Sequence, residues 1–187
     1  MRIIGGLARG IRLDAGPQEA VRPTTDRIKE TLFNILGDVE GRTVIDFFAG
    51  SGSLGLEALS RGAEKVYFVE KDPRTCRIIK SNLQKVEKSL GIESEAEILS
   101  CGYRQALHKI RHKADLILAD PPYGDNCSMA ADFLKNNGLK SVAGDSAVLA
   151  LEHTAGFVIP EGIPWEQFRR KDFGTTAFTF WELKENV

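Results

Sequence analysis

The chain has 187 residues, 42% hydrophobic and 27% charged, with a formal net charge of -1. This supports one domain with a substantial core and excludes a polycation, so any nucleic-acid footprint must be local. No run of about 18 apolar residues exists to form a transmembrane helix, and no membrane partner is expected. The three cysteines, Cys76, Cys101 and Cys127, are widely spaced and match no zinc or disulfide pattern. Together with a start, MRIIGGLARG, that lacks a signal-peptide core, they fit a reducing cytoplasm.

In chain order, residues 2–13 (RIIGGLARGIRL) predict a short hairpin with glycines at the turn. VRPTTDRIKETLFNILG predicts a helix capped by Thr24 or Thr25 and stopped by Gly37, with Ile28, Leu32, Phe33, Ile35 and Leu36 on its apolar face. From Thr43 strands and helices alternate: TVIDFF is a strand, Ser53 to Arg61 a helix ended by Gly62, and KVYFVE a second strand. Asp72 as N-cap and Pro73 at the first position open a long helix that buries Ile78, Ile79, Leu83, Val86 and Leu90. AEILS is a third strand, Gln105 to Ile110 a helix, ADLILAD a fourth strand, Met129 to Asn136 a helix and AVLALEH a fifth strand. FRRKDFGTTAFTFWEL predicts two antiparallel strands joined near Gly174. The fold class is therefore α/β: a doubly wound, Rossmann-like, mostly parallel sheet with an antiparallel C-terminal hairpin. Residues 1–40 form an extension and 41–187 the main domain. In such sheets ligands bind beyond the carboxyl ends of the strands, at the switch point.

Two motifs fall at strand ends. DFFAGSGSLGLEALSRG carries Gly50, Gly52 and Gly55 as G-x-G-x-x-G, with Glu70 twenty residues after the first glycine. Taken alone this spacing fits a nicotinamide dinucleotide. Asp46, four residues before Gly50, tilts the reading toward S-adenosylmethionine, because a carboxylate near the loop favours a sulfonium and an ammonium group. Glu70 can accept both ribose hydroxyls of either cofactor. After the fourth strand stands DPPY, Asp120–Pro121–Pro122–Tyr123. Two prolines fix an extended turn that can aim the Asp120 carboxylate and the Pro121 carbonyl at one point. Two acceptors suit the two hydrogens of an exocyclic amine, and Tyr123 can stack on a nucleobase. Such an amine is a poor nucleophile until its lone pair is turned toward the methyl group. Asp120 could take the proton directly or pass it to water.

These residues carry a resemblance. DFFAGSGSLGLEALSRGA, VYFVEKD, NL and DPPY resemble the class I S-adenosylmethionine-dependent methyltransferases. RIIGGLARGIRL followed by RPTTDRIKETLFNIL is similar to the RsmD-type family of 16S ribosomal RNA guanine-N2 methyltransferases. The resemblance implies Asp46, Phe48, Gly50, Ser51, Gly52, Glu70 and Lys71 as cofactor residues. It implies Asp120, Pro121, Pro122 and Tyr123 as the catalytic group. The partner it implies is 16S rRNA, within the small ribosomal subunit or its assembly intermediate. The N-terminal hairpin would help recognise that RNA, with Arg2, Arg9, Arg12, Arg22, Thr24 and Arg27 as contact candidates. Related enzymes often place an acid or amide after the third strand to read adenine; here the stretch is LSCGYRQAL, which leaves Gly102 and Tyr103 for that role. No metal site is expected: His108 and His112 are four apart but lack a third ligand. A monomer is the default.

Other readings stay open on the residues alone. DPPY does not name the base, so a DNA adenine or cytosine amine methyltransferase fits the chemistry, though the chain leaves no room for a target-recognition domain. A protein glutamine methyltransferase would usually carry asparagine in place of Asp120. A dehydrogenase is disfavoured by Asp46 and DPPY. A non-catalytic RNA-binding assembly factor is disfavoured by the intact motifs.

Overall fold

Among the described residues, seven strands form one sheet. The computed structural model describes residues 1–15, 26–122 and 126–183. The strands are β1 (Thr43–Phe47), β2 (Lys65–Glu70), β3 (Glu95–Ser100), β4 (Ala114–Ala119), β5 (Ala143–Thr154), β6 (Trp165–Phe173) and β7 (Thr176–Leu183). The helices are α1 (Asp26–Leu36), α2 (Ser53–Ser60), α3 (Pro73–Leu90), α4 (Tyr103–Ala106), α5 (Asn126–Lys135) and α6 (Gly138–Val142). Strands β1 to β5 pair in parallel, while β7 runs antiparallel between β5 and β6. The order across the sheet is β3-β2-β1-β4-β5-β7-β6, running outward in chain order from β1 to β3 on one side and from β4 to β5 on the other, so the switch point lies between β1 and β4.

The strand period of two sorts side chains onto two faces. Ile45, Phe47, Tyr67, Val69, Ile117, Ala119, Leu149 and Leu151 pack with residues of α4, α5 and α6. Val44, Val66, Phe68, Leu116, Leu118 and Ala150 pack with α1, α2 and α3. Ile3, Ala8 and Leu13 of the N-terminal arm belong to this second core, with Leu32 and Phe33 of α1.

Local signals act where the residues predict them. The Asp72 side chain accepts from Arg74 N–H at 3.0 Å, with Pro73 at the first helical position; such a cap contributes about 1 kcal/mol. Gly91 (φ 69) closes α3 and Gly37 (φ 72) follows α1.

Several boundaries differ. The 2–13 hairpin is reduced to one antiparallel bridge, Arg2↔Arg12. Its tip spends its backbone groups on α2: Leu7 N–H donates to Ser60 O, and Ala8 N–H to Ser60 Oγ. The helix expected at Gln105–Ile110 starts at Tyr103 and makes a single turn, and α5 runs three residues earlier than expected at its start. A short helix, α6, precedes β5, which begins at Ala143, before its apolar run. On α3, Ile78 and Leu90 are half-buried, and Cys76 and Asn82 fill the inner face with Ile79, Leu83 and Val86. The caps Thr24 and Thr25 lie outside the described residues.

Candidate active site

The glycine loop joins β1 to α2 by a route its sequence imposes. Gly50 and Gly52 have φ of 54 and 81, and Phe48 between them and the strand has φ 59. A bulky residue in that region costs of the order of 1–3 kcal/mol. The Phe48 ring is held by Tyr103 and Phe133, at centroid distances of 5.6 and 5.5 Å. Gly55 answers a different need: a Cβ there would lie 2.5 Å from Phe68 Cε1 and 3.1 Å from Asp46 Oδ2. Helix and sheet could not approach so closely with a side chain between them.

Two carboxylates hold this loop. Gly50 N–H donates to Glu70 Oε2 at 3.0 Å, and Asp72 N–H donates to Glu70 Oε1 at 2.9 Å. Gly55 N–H donates to Asp46 Oδ2 at 2.9 Å. Asp46 is 1% exposed, so its carboxylate is an internal anchor for the start of α2. Burial is the largest influence on it and lifts its pKa to about 8; the Gly55 bond opposes this and Glu70 reinforces it. Its acid is thus held protonated from the unfolded value of 3.8 up to about 8, and its contribution to stability falls as pH rises across that window. Asp46→Asn keeps an acceptor for Gly55 but cannot ionise. The ligand-free variant should therefore gain thermal stability relative to the parent as pH is raised from 4 to 8, measured by paired melts. A difference that stays constant with pH would refute this account of Asp46.

Opposite the loop, β4 pairs with β1 through Ala119↔Phe47, and Asp120 N–H donates to Phe47 O at 3.4 Å. This places Asp120 beside the entrance to the glycine loop. The residue reaches the surface in part, yet burial of its carboxyl pushes the pKa well above the usual carboxylate value, reinforced by Glu152 and Asp46. Glu152 is 3% exposed and follows Leu151, the β5 partner of Ala119. Pro121 is buried and Pro122 exposed. Tyr123 lies outside the described residues.

On the other flank, Gly102 and Tyr103 sit at the end of β3. Tyr103 is buried; its hydroxyl donates to Asp132 of α5, and Arg104 pairs with the same carboxylate at 2.5 Å. The wall expected to face adenine is thereby tied to the helix after DPPY. Lys71 is exposed. Of the histidines noted above, His112 Nδ1 bonds the Tyr67 hydroxyl at 2.6 Å, and no metal-ligand cluster occurs among the described residues. Cys76 and Cys101 are buried free thiols.

Arg2 and Arg9 of the arm and Arg27 of α1 line a cleft of about 250 Å3, with Asp26 and Glu30. Arg2 is paired with Asp26 at 2.7 Å. Arg9, Arg12 and Arg27 are exposed, with Arg12 across the bridge from Arg2. Arg22 and Thr24 lie outside the described residues. The arm is seated by buried charges. Glu57, fully buried, accepts from Ile4 N–H (2.9 Å), Gly5 N–H (2.7 Å) and Arg61 Nε (2.9 Å). Lys29, also fully buried, donates to Arg2 O at 2.5 Å and lies 3.7 Å from Glu57. Burial lowers the Lys29 pKa, against the opposing pull of Glu57 and Asp26. At Gly6 (φ 71) a Cβ would sit 1.8 Å from Ser60 O, so this glycine lets the arm lie flat on α2.

Sequence reasoning misses Lys29, Glu57, Asp132 and Glu152, and gives Asn82, quoted within NL, no role of its own. Lys29 has a legible signal, since it lies three and four residues before Leu32 and Phe33 and so on the apolar face. Glu152 ends an apolar strand run much as Asp46 does.

The chain is similar to known proteins over nearly its whole length. The family model described as conserved hypothetical protein 95 matches residues 1–182. Ribosomal RNA small subunit methyltransferase D of Haemophilus influenzae is 35% identical, over 97% of this chain and 93% of its own length. The Escherichia coli (strain K12) protein of the same name is 31% identical, over 97% and 89%. The solved structure of Escherichia coli yhhF superposes with a TM-score of 0.79 at 30% identity, covering 100% of this chain and 99% of that one.

Proposed function

We propose, given that this chain belongs to the RsmD family of ribosomal RNA small subunit methyltransferases, that it methylates the exocyclic N2 of a guanine in 16S rRNA, at the family's position 966. The observation that carries the chemistry is Asp120, set at the end of β4 beside the glycine loop with its amide on Phe47 O. The donor set fits S-adenosylmethionine. A Cβ at Gly50 would meet nothing nearer than Phe48 O at 3.9 Å, and one at Gly102 nothing within 4 Å, so both loops leave bare backbone near Glu70. When bound, S-adenosylmethionine supplies an electrophilic methyl group on a positively charged sulfur.

The protein's own groups do the rest. Glu70 has lone pairs left to accept ribose hydroxyls. Gly102 and Tyr103 flank the adenine. Asp46 favours positive charge near the loop, and a cation beside it would in turn favour its ionised form. The Asp120 carboxylate and the Pro121 carbonyl accept the two amine hydrogens and turn the nitrogen lone pair outward. As positive charge grows on that nitrogen, Asp120 stabilises it and accepts the proton or passes it to water. Tyr123 stacks on the base, a contact worth about 1–3 kcal/mol. The cleft of Arg2, Arg9 and Arg27 holds phosphates of the flanking RNA, in the small subunit or its assembly intermediate.

Transfer of radiolabel from S-adenosylmethionine tests this, with unmodified small subunits, free 16S rRNA and duplex DNA as acceptors. Label in N2-methylguanosine is the expected result. Label in DNA adenine would overturn the substrate, and no transfer despite cofactor binding would point to a non-catalytic binder. The arm is best probed by charge, because deleting residues 1–13 would also strip Ile3, Ala8 and Leu13 from the core. Arg9→Glu with Arg27→Glu should weaken RNA binding about tenfold or more and flatten its salt dependence, with melting unchanged. Unaltered RNA affinity would sink the assignment of the cleft.

A further inference from the structure

Both ends of the arm return to the glycine loop. Met1 Sδ accepts from the Ser51 hydroxyl at 3.8 Å, and Leu13 N–H donates to Met1 O at 3.0 Å. The next residue, Asp14, is gripped by Asn82 of α3. Asp14 N–H donates to Asn82 Oδ1 at 2.8 Å, and Asn82 Nδ2 donates to Asp14 O at 2.9 Å. The same Nδ2 donates to Ser51 O at 3.0 Å. A primary amide has two N–H donors, and here one goes to the arm and the other to the loop. Asn82 is fully buried, between Ile79, Leu83 and Val86 on the inner face of α3. An asparagine serving only local packing would bond its own helix. These partners lie 68 and 31 residues away in sequence.

We propose that Asn82 is a positioning residue that locks the exit of the arm to the glycine loop, so that RNA on the arm and cofactor on the loop strengthen each other's binding. The proposal rests on the function proposed above. Its physical content is a shared constraint. Ordering Ser51 for the cofactor orders Asp14 through one buried amide, and ordering the arm on RNA orders Ser51. Linkage then requires the two effects to be equal.

Two readouts test it on the full chain. In ligand-free protein, Asn82→Asp keeps Oδ1 for Asp14 N–H but sets a second oxygen against two carbonyls. Hydrogen exchange should speed up in this variant at Ile3 and Leu13 of the arm and at Gly52 of the loop together. Acceleration confined to the arm would overturn the proposal. The second readout is RNA affinity with and without S-adenosylhomocysteine. In the parent the ligand should raise RNA affinity at least about fivefold, a coupling in the usual range. In Asn82→Asp and Asn82→Ala that ratio should fall to near one, and S-adenosylhomocysteine affinity should drop about tenfold. Asp14→Ala, which loses only the exposed pair with Lys85, should behave as the parent. Parent-like coupling in both Asn82 variants would overturn the proposal. Joint acceleration of exchange in Asn82→Asp, together with a parent that binds no S-adenosylhomocysteine, would overturn the functional reading instead, and the ligand coupling with it. Should Asn82→Ala not fold, Asn82→Asp alone decides.

Discussion

Asp120→Asn should lower kcat about a thousandfold while leaving S-adenosylhomocysteine affinity within a few-fold of the parent. Asparagine has the right size and keeps one acceptor oxygen. Its NH2, however, is a donor facing the donor amine of the base, and it can take no proton. Losing one preorganised electrostatic partner costs about 10²–10³ in rate, and losing a general base about 10²–10⁴. The groups proposed to hold the cofactor, Glu70 and the glycine loop, stand at the ends of β2 and β1 and are not touched. A variant with near-normal kcat would refute the role. The pH profile gives a second reading. Burial, then Glu152 and Asp46, raise the Asp120 pKa, so the acid limb of kcat should fall well above the pH at which an ordinary carboxylate titrates. Removing the charge at Glu152 with glutamine takes away a factor that raises it, so the limb should shift to lower pH. A limb that stays in place would mean Glu152 does not act on Asp120.

What could be read in advance, and what could not, follows from the range of the interactions. Strand period, the Asp72–Pro73 start of α3 and the glycines that end helices are local, and they placed the alternating elements and both motifs at strand ends. The neighbourhood of β1 and β4 was also legible, because the doubly wound order leaves few choices. Asp46 was legible as an acid at the right place but not as a sealed one; its bond to Gly55 depends on how closely α2 lies on the sheet. The arm was harder. RIIGGLARGIRL reads as a hairpin because glycines usually mark turns, yet Gly6 is used for contact with Ser60 O, and the strands shrink to one bridge. Glu57 and Ser60 look like ordinary residues of a short helix. Their partners, Ile4, Gly5 and Ala8, lie more than fifty positions away, and no local pattern announces such a pairing.

That pairing carries the second large effect. Glu57→Ala should destabilise the protein by about 3–5 kcal/mol, the usual cost of breaking a buried pair by removing one partner. At roughly 2–4 °C per kcal/mol for a chain of this size, the melting temperature should fall by the order of 10 °C. Two losses add. The Ile4 and Gly5 N–H groups lose their acceptor, and Lys29 keeps its buried ammonium with Arg2 O as its described bond. If the second loss matters, removing the stranded charge should help. Lys29→Met in the Glu57→Ala background should therefore recover part of the stability, although Lys29→Met alone destabilises by leaving Glu57 with Arg61 and the two amides. The measurement is a double-mutant cycle by denaturant unfolding. A double variant as unstable as the sum of the singles would show that Lys29 and Glu57 act independently and that the arm is seated by its backbone bonds alone. Partial recovery would show that the buried pair and the backbone bonds seat the arm on α2 together, and RNA affinity should then stay below the parent's in the double variant, because the acceptor for Ile4 and Gly5 is still missing.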